Sequence, residues 1–230
     1  MLKPVFAAIG LAALALLVNP AQAVVVSSTN NTFGAVDESS DTRSFNFSAG
    51  DFAGTDGIID QVTIELSFAK CTDQVDAGGC FGADDTGEDP FTEEIEFILE
   101  SPNSTSVVLV RDQDPGPETF LSDGDEGNIS VIVLFDDGGA ALPGDVPVDG
   151  TFAPQELLSA FIGESPVGIW TLTISDDTDE DPLGLFSATL NITVTETGNP
   201  GTGVPEPATL ALFGAGILGL GWARRRRKVA

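Results

Sequence analysis

The feature that most constrains the fold of this chain is a two-residue alternation of apolar and polar side chains, repeated in short runs. Every second residue from Val62 to Phe68 is apolar, and so is every second residue from Ile95 to Leu99, with Glu94, Glu96 and Glu100 among the positions between and beside them. Successive side chains of a β-strand point to opposite faces, so this pattern indicates strands with one buried face. It predicts seven strands, at residues 43–48, 58–70, 93–101, 105–111, 128–136, 167–175 and 186–195.

Loops rich in Gly, Pro and Asp separate these runs, as turn chemistry requires, and no segment of the body carries a long helical period. The body, residues 24–196, is long enough for one domain with its own core. The sequence therefore predicts an all-β fold, a jelly-roll-like β-sandwich.

The first 23 residues have the features of a secretory signal peptide. Lys3 precedes an uncharged apolar run at residues 5–18, and the segment ends in Ala21-Gln22-Ala23, a small-x-small site. We expect the export machinery to carry the chain and signal peptidase to cleave after Ala23. A permanent membrane anchor is the alternative, but the run is shorter than the about 20 residues that a span needs.

The body between the two ends is strongly acidic. From Val24 to Val204 it has 35 acidic residues and three basic ones, Arg43, Lys70 and Arg111, for a net charge of −32. Such a surface repels phosphate backbones, which excludes nucleic-acid binding, and it attracts cations or basic partners. Acidity of this kind also keeps an exported protein soluble without any further role.

The residue types present exclude several kinds of catalysis. The chain has no histidine and no tyrosine, so Ser-His-Asp and Cys-His mechanisms are absent. Paired carboxylates serve as acid and base in glycosidases, but 36 acidic residues produce such pairs by chance. No Gly-rich phosphate loop opens a helix. We predict a protein that is not an enzyme.

Calcium is the cofactor that the acidic loops could hold, because Ca²⁺ takes six to eight oxygen ligands. The spacing of Asp177, Asp179 and Asp181 matches the first ligands of an EF-hand loop, but Pro182 stands where Gly is needed and the distal Glu is missing. A loop site remains as the hypothesis, and a plain solvated loop is the alternative. The candidate calcium ligands are Asp136, Asp176, Asp177, Asp179 and Asp181.

Cys71 and Cys80 are the chain's two cysteines. Exported proteins fold where thiols are oxidised, so we predict a disulfide between them. On the chain-entropy model a loop of this size contributes roughly 2 to 3 kcal/mol. Metal binding is the alternative, although two cysteines without histidine make an incomplete zinc shell.

Residues 150–192 resemble the end of the P domain, or Homo B domain, of proprotein convertases and of many bacterial secreted proteases. The matching positions are Pro154, residues 156–159, Phe161, Gly163, Gly168, Trp170, Leu172, Asp176 and Asp177. Two earlier stretches are also similar to the family, residues 94–105 and the turn at residues 135–138. The sequence departs from the family at Ser104, where Gly is usual, and it has no histidine before the third strand.

The P-domain resemblance implies a jelly roll that often holds calcium. It also implies a supporting role, because members of the family usually support a neighbouring subtilisin-like protease. The 230 residues leave no room for such a protease, so convertase activity is not carried over.

The tail consists of a polar linker at residues 197–204 and a sorting segment at residues 205–230. Pro205, Glu206 and Pro207 are followed by an apolar run at residues 208–223, which predicts a short transmembrane helix of about 24 Å against a core of about 30 Å. The basic end contains Arg224, Arg225, Arg226 and Arg227. These arginines would stay on the cytoplasmic side. One interpretation of this tail is a permanent membrane anchor.

The same three parts, in this order, closely resemble the PEP-CTERM sorting signal of Gram-negative bacteria. An exosortase recognises that signal and cleaves near Pro-Glu-Pro. The resemblance implies transient anchoring in the inner membrane, processing by exosortase, and delivery to the cell surface or to an exopolysaccharide matrix.

Together, these features predict an exported, non-catalytic protein of the cell surface or extracellular matrix. Exopolysaccharide and matrix proteins are the expected partners. A calcium-dependent carbohydrate- or protein-binding module is the alternative, although a body with one Trp and no Tyr has few rings on which sugars stack. A hydrolase is the third hypothesis.

Overall fold

The computed structural model describes residues 22–81, 94–111, 128–143, 147–177, 179 and 181–197. All of them belong to one compact unit, Gln22–Thr197. The sorting segment and the predicted signal peptide up to Ala21 lie outside the described residues, and so does the predicted transmembrane helix. Within the described ranges no helix is long and apolar enough to cross a membrane.

The described residues form twelve strands and one short 3-10 helix, Leu158–Phe161. The strands are β1 Ala23–Asn30, β2 Gly34–Val36, β3 Ser39–Phe47, β4 Thr55–Lys70, β5 Gln74–Asp76, β6 Gly79–Phe81, β7 Ile95–Glu100, β8 Ser106–Val110, β9 Ile129–Ala140, β10 Gly150–Phe152, β11 Gly168–Asp176 and β12 Leu183–Glu196. The prediction of an all-β fold is confirmed.

The strands are arranged in two main sheets and a small hairpin. The first sheet has the order β1-β12-β4-β9-β10, with β2 also paired to β12, and the second has the order β3-β11-β7-β8. Strands β5 and β6 form the hairpin. All pairings are antiparallel except that of β10 with β9.

The core lies between the two sheets, as expected for a β-sandwich. The alternating apolar residues of β4 and β12 in the first sheet and of β7 and β11 in the second are buried in a single cluster. Phe68 of the first sheet meets Phe97 of the second edge-on, with ring centroids 5.1 Å apart. Trp170 is fully buried and packs edge-on against Phe161 of the 3-10 helix at 4.9 Å.

Each of the seven predicted strands is present, with shifted ends, whereas β1, β2, β5, β6 and β10 were not predicted. Strands β2, β5, β6 and β10 have three residues each, which is too few for a period-two pattern to be recognised. Strand β1 was missed because its first residue falls at the predicted signal-peptide boundary. It pairs with β12 along its whole length, from Ala23 opposite Thr195 to Asn30 opposite Ala188.

Candidate functional site

A buried ionic cluster lies at the point where β4 of the first sheet and β11 of the second both end. Lys70, the last residue of β4, is fully buried, and Asp176, the last residue of β11, is 1% exposed. Lys70 Nζ lies 2.8 Å from Asp176 Oδ2 and 3.0 Å from Glu94 Oε2. It also donates a hydrogen bond to the Asp181 carbonyl. We call these four residues the Lys70 cluster.

The alternation of the strands explains why these charges point inward. Lys70 continues the series of buried residues in β4 that ends at Phe68, and Asp176 continues the series in β11 that ends at Ile174. A lysine and an aspartate therefore occupy core-facing positions at one end of the sandwich. This signal is visible in the sequence, although neither Lys70 nor Glu94 was predicted to be a site residue.

Neighbouring strands place apolar residues beside the cluster. Leu183 and Ile129 are the register partners of Lys70 on its two neighbouring strands, and Ile95 is that of Asp176. All three are buried. Charges removed from water are costly unless they are paired, so the cluster depends on the contacts among its own members.

Burial raises the pKa of the Asp176 carboxyl to about 7. The hydrogen bond and the charge of Lys70 act in the opposite direction, and the neighbouring Glu94 raises the pKa further. Asp176 Oδ1 is buried and has no hydrogen-bond partner among the described residues. Asp176 is thus a carboxyl that holds a proton near neutral pH, beside a lysine.

An open acidic depression of about 400 Å³ borders the cluster. Its lining residues are Glu38, Ser39, Ser40, Glu96, Thr173, Ser175, Asp176 and Asp177. Several carboxyl groups and no basic side chain line this surface, so it favours a cation or a basic group.

The structure does not bring the five candidate calcium ligands together. Asp136 lies on β9, where its carboxylate accepts hydrogen bonds from Gln61 Nε2 at 3.3 Å and from the Gly138 amide at 2.8 Å. Gln61 and Lys70 are nine residues apart on β4, which corresponds to about 30 Å along a strand. The structure therefore does not bring Asp136 to the end of β4 at which Asp176 lies.

The other candidates differ in exposure: Asp177 and Asp179 are exposed, whereas Asp181 is 6% exposed. Within the described part of the chain, no group of three or more Asp, Glu, Cys or His side chains is arranged to hold a metal ion. Calcium binding stays a prediction.

Asp137 has a structural role, and the Phe-Asp-Asp stretch at residues 135–137, which resembled a turn, lies within β9. Its carboxylate accepts hydrogen bonds from the amides of Leu158 at 2.7 Å and Ser159 at 2.8 Å. These are the first amides of the 3-10 helix, which lack partners within the helix. Asp137 thereby attaches the helix that carries Phe161 to β9.

Glu164 organises the turn at residues 101–105. Its carboxylate accepts hydrogen bonds from Ser101 Oγ at 2.7 Å, from Asn103 Nδ2 at 3.1 Å and from Thr105 Oγ1. Burial acts to raise the pKa of Glu164, but these three hydrogen bonds outweigh it and lower the pKa below its usual value. Ser104 has a φ of 65°, the left-handed conformation for which the P-domain family uses Gly.

All three basic residues of the body are engaged by carboxylates. Besides Lys70, the Nη1 atom of Arg43 lies 2.6 Å from Asp41 Oδ2, and Arg111 pairs with Glu96. Each basic side chain between Val24 and Val204 therefore has a carboxylate partner. The remaining acidic residues give the body its surplus of negative charge.

Cys71 and Cys80 are joined by a disulfide, with Cα atoms 5.4 Å apart. Cys71 follows Lys70 directly and is fully buried, and Cys80 lies in β6. The bond fastens the β5–β6 hairpin to the end of β4, beside the Lys70 cluster.

The predicted sorting residues, Pro205 to Pro207 and Arg224 to Arg227, lie outside the described residues. In sequence, residues 203–227 match the family described as the PEP-CTERM protein-sorting motif. The chain therefore carries at its C-terminal end the motif of exported proteins that exosortase processes. No curated protein matches the chain by sequence.

Similar solved structures are distant. The Aeromonas sobria serine protease in complex with its chaperone is 14% identical over 76% of this chain, with a TM-score of 0.41. The same protease alone is 15% identical over 79% of this chain, with a TM-score of 0.40. Dimeric latent PorU from Porphyromonas gingivalis is 10% identical over 81% of this chain, with a TM-score of 0.32. This chain spans 28% of the protease and 14% of PorU.

Proposed function

We propose that this chain is an exported, exosortase-processed protein of the cell surface or extracellular matrix, with a β-sandwich that serves as a non-catalytic structural module. The observation that carries the proposal is the sorting motif at residues 203–227. Its Pro-Glu-Pro, its apolar run and its arginines occur in the order that exosortase substrates share. The signal-like N-terminus agrees with export.

The chemistry of the body supports a structural rather than a catalytic role. Histidine is absent from the chain, and each basic residue of the body is paired with a carboxylate. A body with a net charge of −32 would remain hydrated and separate from its copies, which suits a component of a polysaccharide matrix. The P-domain-like jelly roll is part of this proposal, and exopolysaccharide or matrix proteins are its partners.

Replacement of the sorting motif tests this function. In the producing bacterium, we expect Glu206→Ala to leave the chain at its full tail length in the inner-membrane fraction, whereas the wild type loses its tail and reaches the surface. Pro200→Ala, in the polar linker before the motif, is the matched control and should be processed normally. Immunoblotting of fractions, with and without a functional exosortase gene, gives the readout. Normal processing of Glu206→Ala, or of the wild type without exosortase, would refute the proposal.

A second candidate is a calcium-dependent carbohydrate- or protein-binding module, favoured by the open acidic depression beside Asp177 and Glu96. Thermal unfolding of residues 24–203 in millimolar calcium, in millimolar magnesium and in chelator tests it. A ligand at 100 times its dissociation constant adds about 2.7 kcal/mol, a shift of several degrees. A rise in calcium alone would support the module, and polysaccharide binding in calcium would then be measured. Coincident curves would exclude it.

A further inference from the structure

We propose that the side chains of Lys70 and Asp176 join through an amide bond, and that Glu94 transfers the protons of that reaction. The bond would link Lys70 Nζ to Asp176 Cγ. It is a covalent modification of the chain by its own residues, and it does not depend on the function proposed above.

The positions of the three groups support the reaction. Lys70 Nζ lies 2.8 Å from an oxygen of the Asp176 carboxyl, so the nucleophile and the carboxyl carbon are already neighbours. Glu94 Oε2 lies 3.0 Å from the same nitrogen, within reach of its protons. Groups held in contact in this way react as if at a very high concentration.

Burial provides the conditions that amide formation needs. Lys70 and Asp176 are 0% and 1% exposed, so bulk water has little access to the carboxyl carbon. Asp176 Oδ1 has no hydrogen-bond partner among the described residues, which leaves this oxygen to receive a proton.

The reaction balances without an oxidant or a cofactor. The Glu94 carboxylate takes a proton from the Lys70 ammonium and delivers it to the Asp176 carboxylate, and the free amine then attacks Cγ to form a tetrahedral intermediate. Glu94 moves a second proton from the nitrogen to one hydroxyl of that intermediate, the C–O bond breaks, and one water leaves. An ammonium and a carboxylate are thus converted to a neutral amide and water, which removes two buried charges from the core.

The bond would connect the two sheets of the sandwich. Lys70 ends β4 in the first sheet, Asp176 ends β11 in the second, and 106 residues separate them in sequence. With the adjacent Cys71–Cys80 disulfide, this end of the domain would carry two covalent links. Such links resist unfolding in an extracellular setting.

Tryptic mapping of the full chain, purified after export, denatured, reduced and alkylated, tests the proposal. Trypsin cuts a free chain after Arg43, Lys70 and Arg111. An acylated Lys70 is not cut, so we expect residues 44–111 to remain one peptide, joined to the peptide that begins at Asp112. The mass of this branched product is lower than the sum of its parts by one water. Fragmentation would place the link at Lys70 and Asp176.

The variant Glu94→Gln keeps the size of the side chain but replaces the carboxylate with an amide, which cannot carry the protons of the reaction. We expect it to slow bond formation by about 100-fold or more, so that freshly purified protein is cut after Lys70. Glu96→Gln is the matched control, since Glu96 contacts Arg111 and Ser175 rather than Lys70, and it should give the branched product. Lys70→Arg cannot form the bond and should be cut at residue 70.

Complete cleavage of the wild type after Lys70, with unchanged peptide masses after prolonged incubation, would overturn the proposal. This result does not depend on whether any variant folds. If the Glu94→Gln variant formed the Lys70–Asp176 bond as fast as the wild type, the proposal that Glu94 transfers the protons would be wrong.

Discussion

At the scale of single residues, Ser104 shows the cost of a side chain in a left-handed turn. Its φ of 65° is unfavourable for residues with a Cβ, and its side chain makes none of the hydrogen bonds that hold the turn to Glu164. We expect Ser104→Gly to raise the free energy of unfolding by about 0.5 to 1 kcal/mol, measured by urea denaturation. The same change at Ser106, an exposed position in β8, is the control and should lower stability. A loss of stability in both variants would contradict this explanation.

The titration of Asp176 offers a second prediction at this scale, in the Glu94→Gln variant, where its carboxyl stays free. Burial raises the pKa of this carboxyl above its ordinary value of 3.8. Between pH 3.8 and about pH 7, the folded state then binds more protons than the unfolded state. The free energy of unfolding therefore falls as the pH rises from 5 to 8. The chain has no histidine to obscure this change.

The wild type is the comparison for that pH series. With Asp176 held in an amide, its free energy of unfolding should be nearly constant between pH 5 and pH 8. Denaturant midpoints measured at several pH values give both curves. An equal fall in both proteins would indicate that Asp176 titrates freely in the wild type.

At the scale of elements, the β5–β6 hairpin depends on its covalent link to β4. Its two strands have three residues each, too few for independent stability. We expect the double variant Cys71→Ala, Cys80→Ala to lower the free energy of unfolding by roughly 2 to 3 kcal/mol. Urea denaturation of the wild type with reductant should approach the curve of the variant, and reductant should leave the variant unchanged. A variant as stable as the oxidised wild type would show that the disulfide contributes nothing.

The 3-10 helix and the strand β9 illustrate how a short element is held by tertiary contacts. The four residues of this helix have no intrinsic stability of their own, but Asp137 binds two of its amides and Trp170 covers Phe161. The spacing of the apolar residues 157, 158 and 161 contains no information about Asp137, the aspartate 21 residues before Leu158 that accepts the hydrogen bonds of this helix.

At the scale of the whole molecule, the charge of the body affects stability. With 35 acidic and three basic residues from Val24 to Val204, the folded state concentrates like charges that the unfolded chain separates. We expect the melting temperature to rise as NaCl screens this repulsion, between about 0.01 M, where the Debye length is about 30 Å, and about 0.15 M, where it is about 8 Å. Sucrose of equal osmolality is the uncharged control. A melting temperature that falls with NaCl would show that attractive ion pairs dominate.

Much of the fold could be predicted from sequence because strand formation and burial are encoded locally. Alternation with period two located seven strands and their inward faces, and the same parity applied to Lys70 and Asp176 would have placed both in the core. The ends of the chain are also local features, since the sorting motif is a continuous segment. Residue type alone excluded histidine-dependent chemistry.

The tertiary structure decided which of these residues meet. Lys70 and Asp176 are in contact across two sheets although 106 residues separate them. Asp136 and Asp176, which were predicted to share a site, contact residues of β4 that lie nine positions apart. The physical reason is that a strand's periodicity specifies which face is buried and leaves open its neighbour and its register. Those depend on how the two sheets pack, and the packing brings one lysine and two carboxylates together at the end of the sandwich.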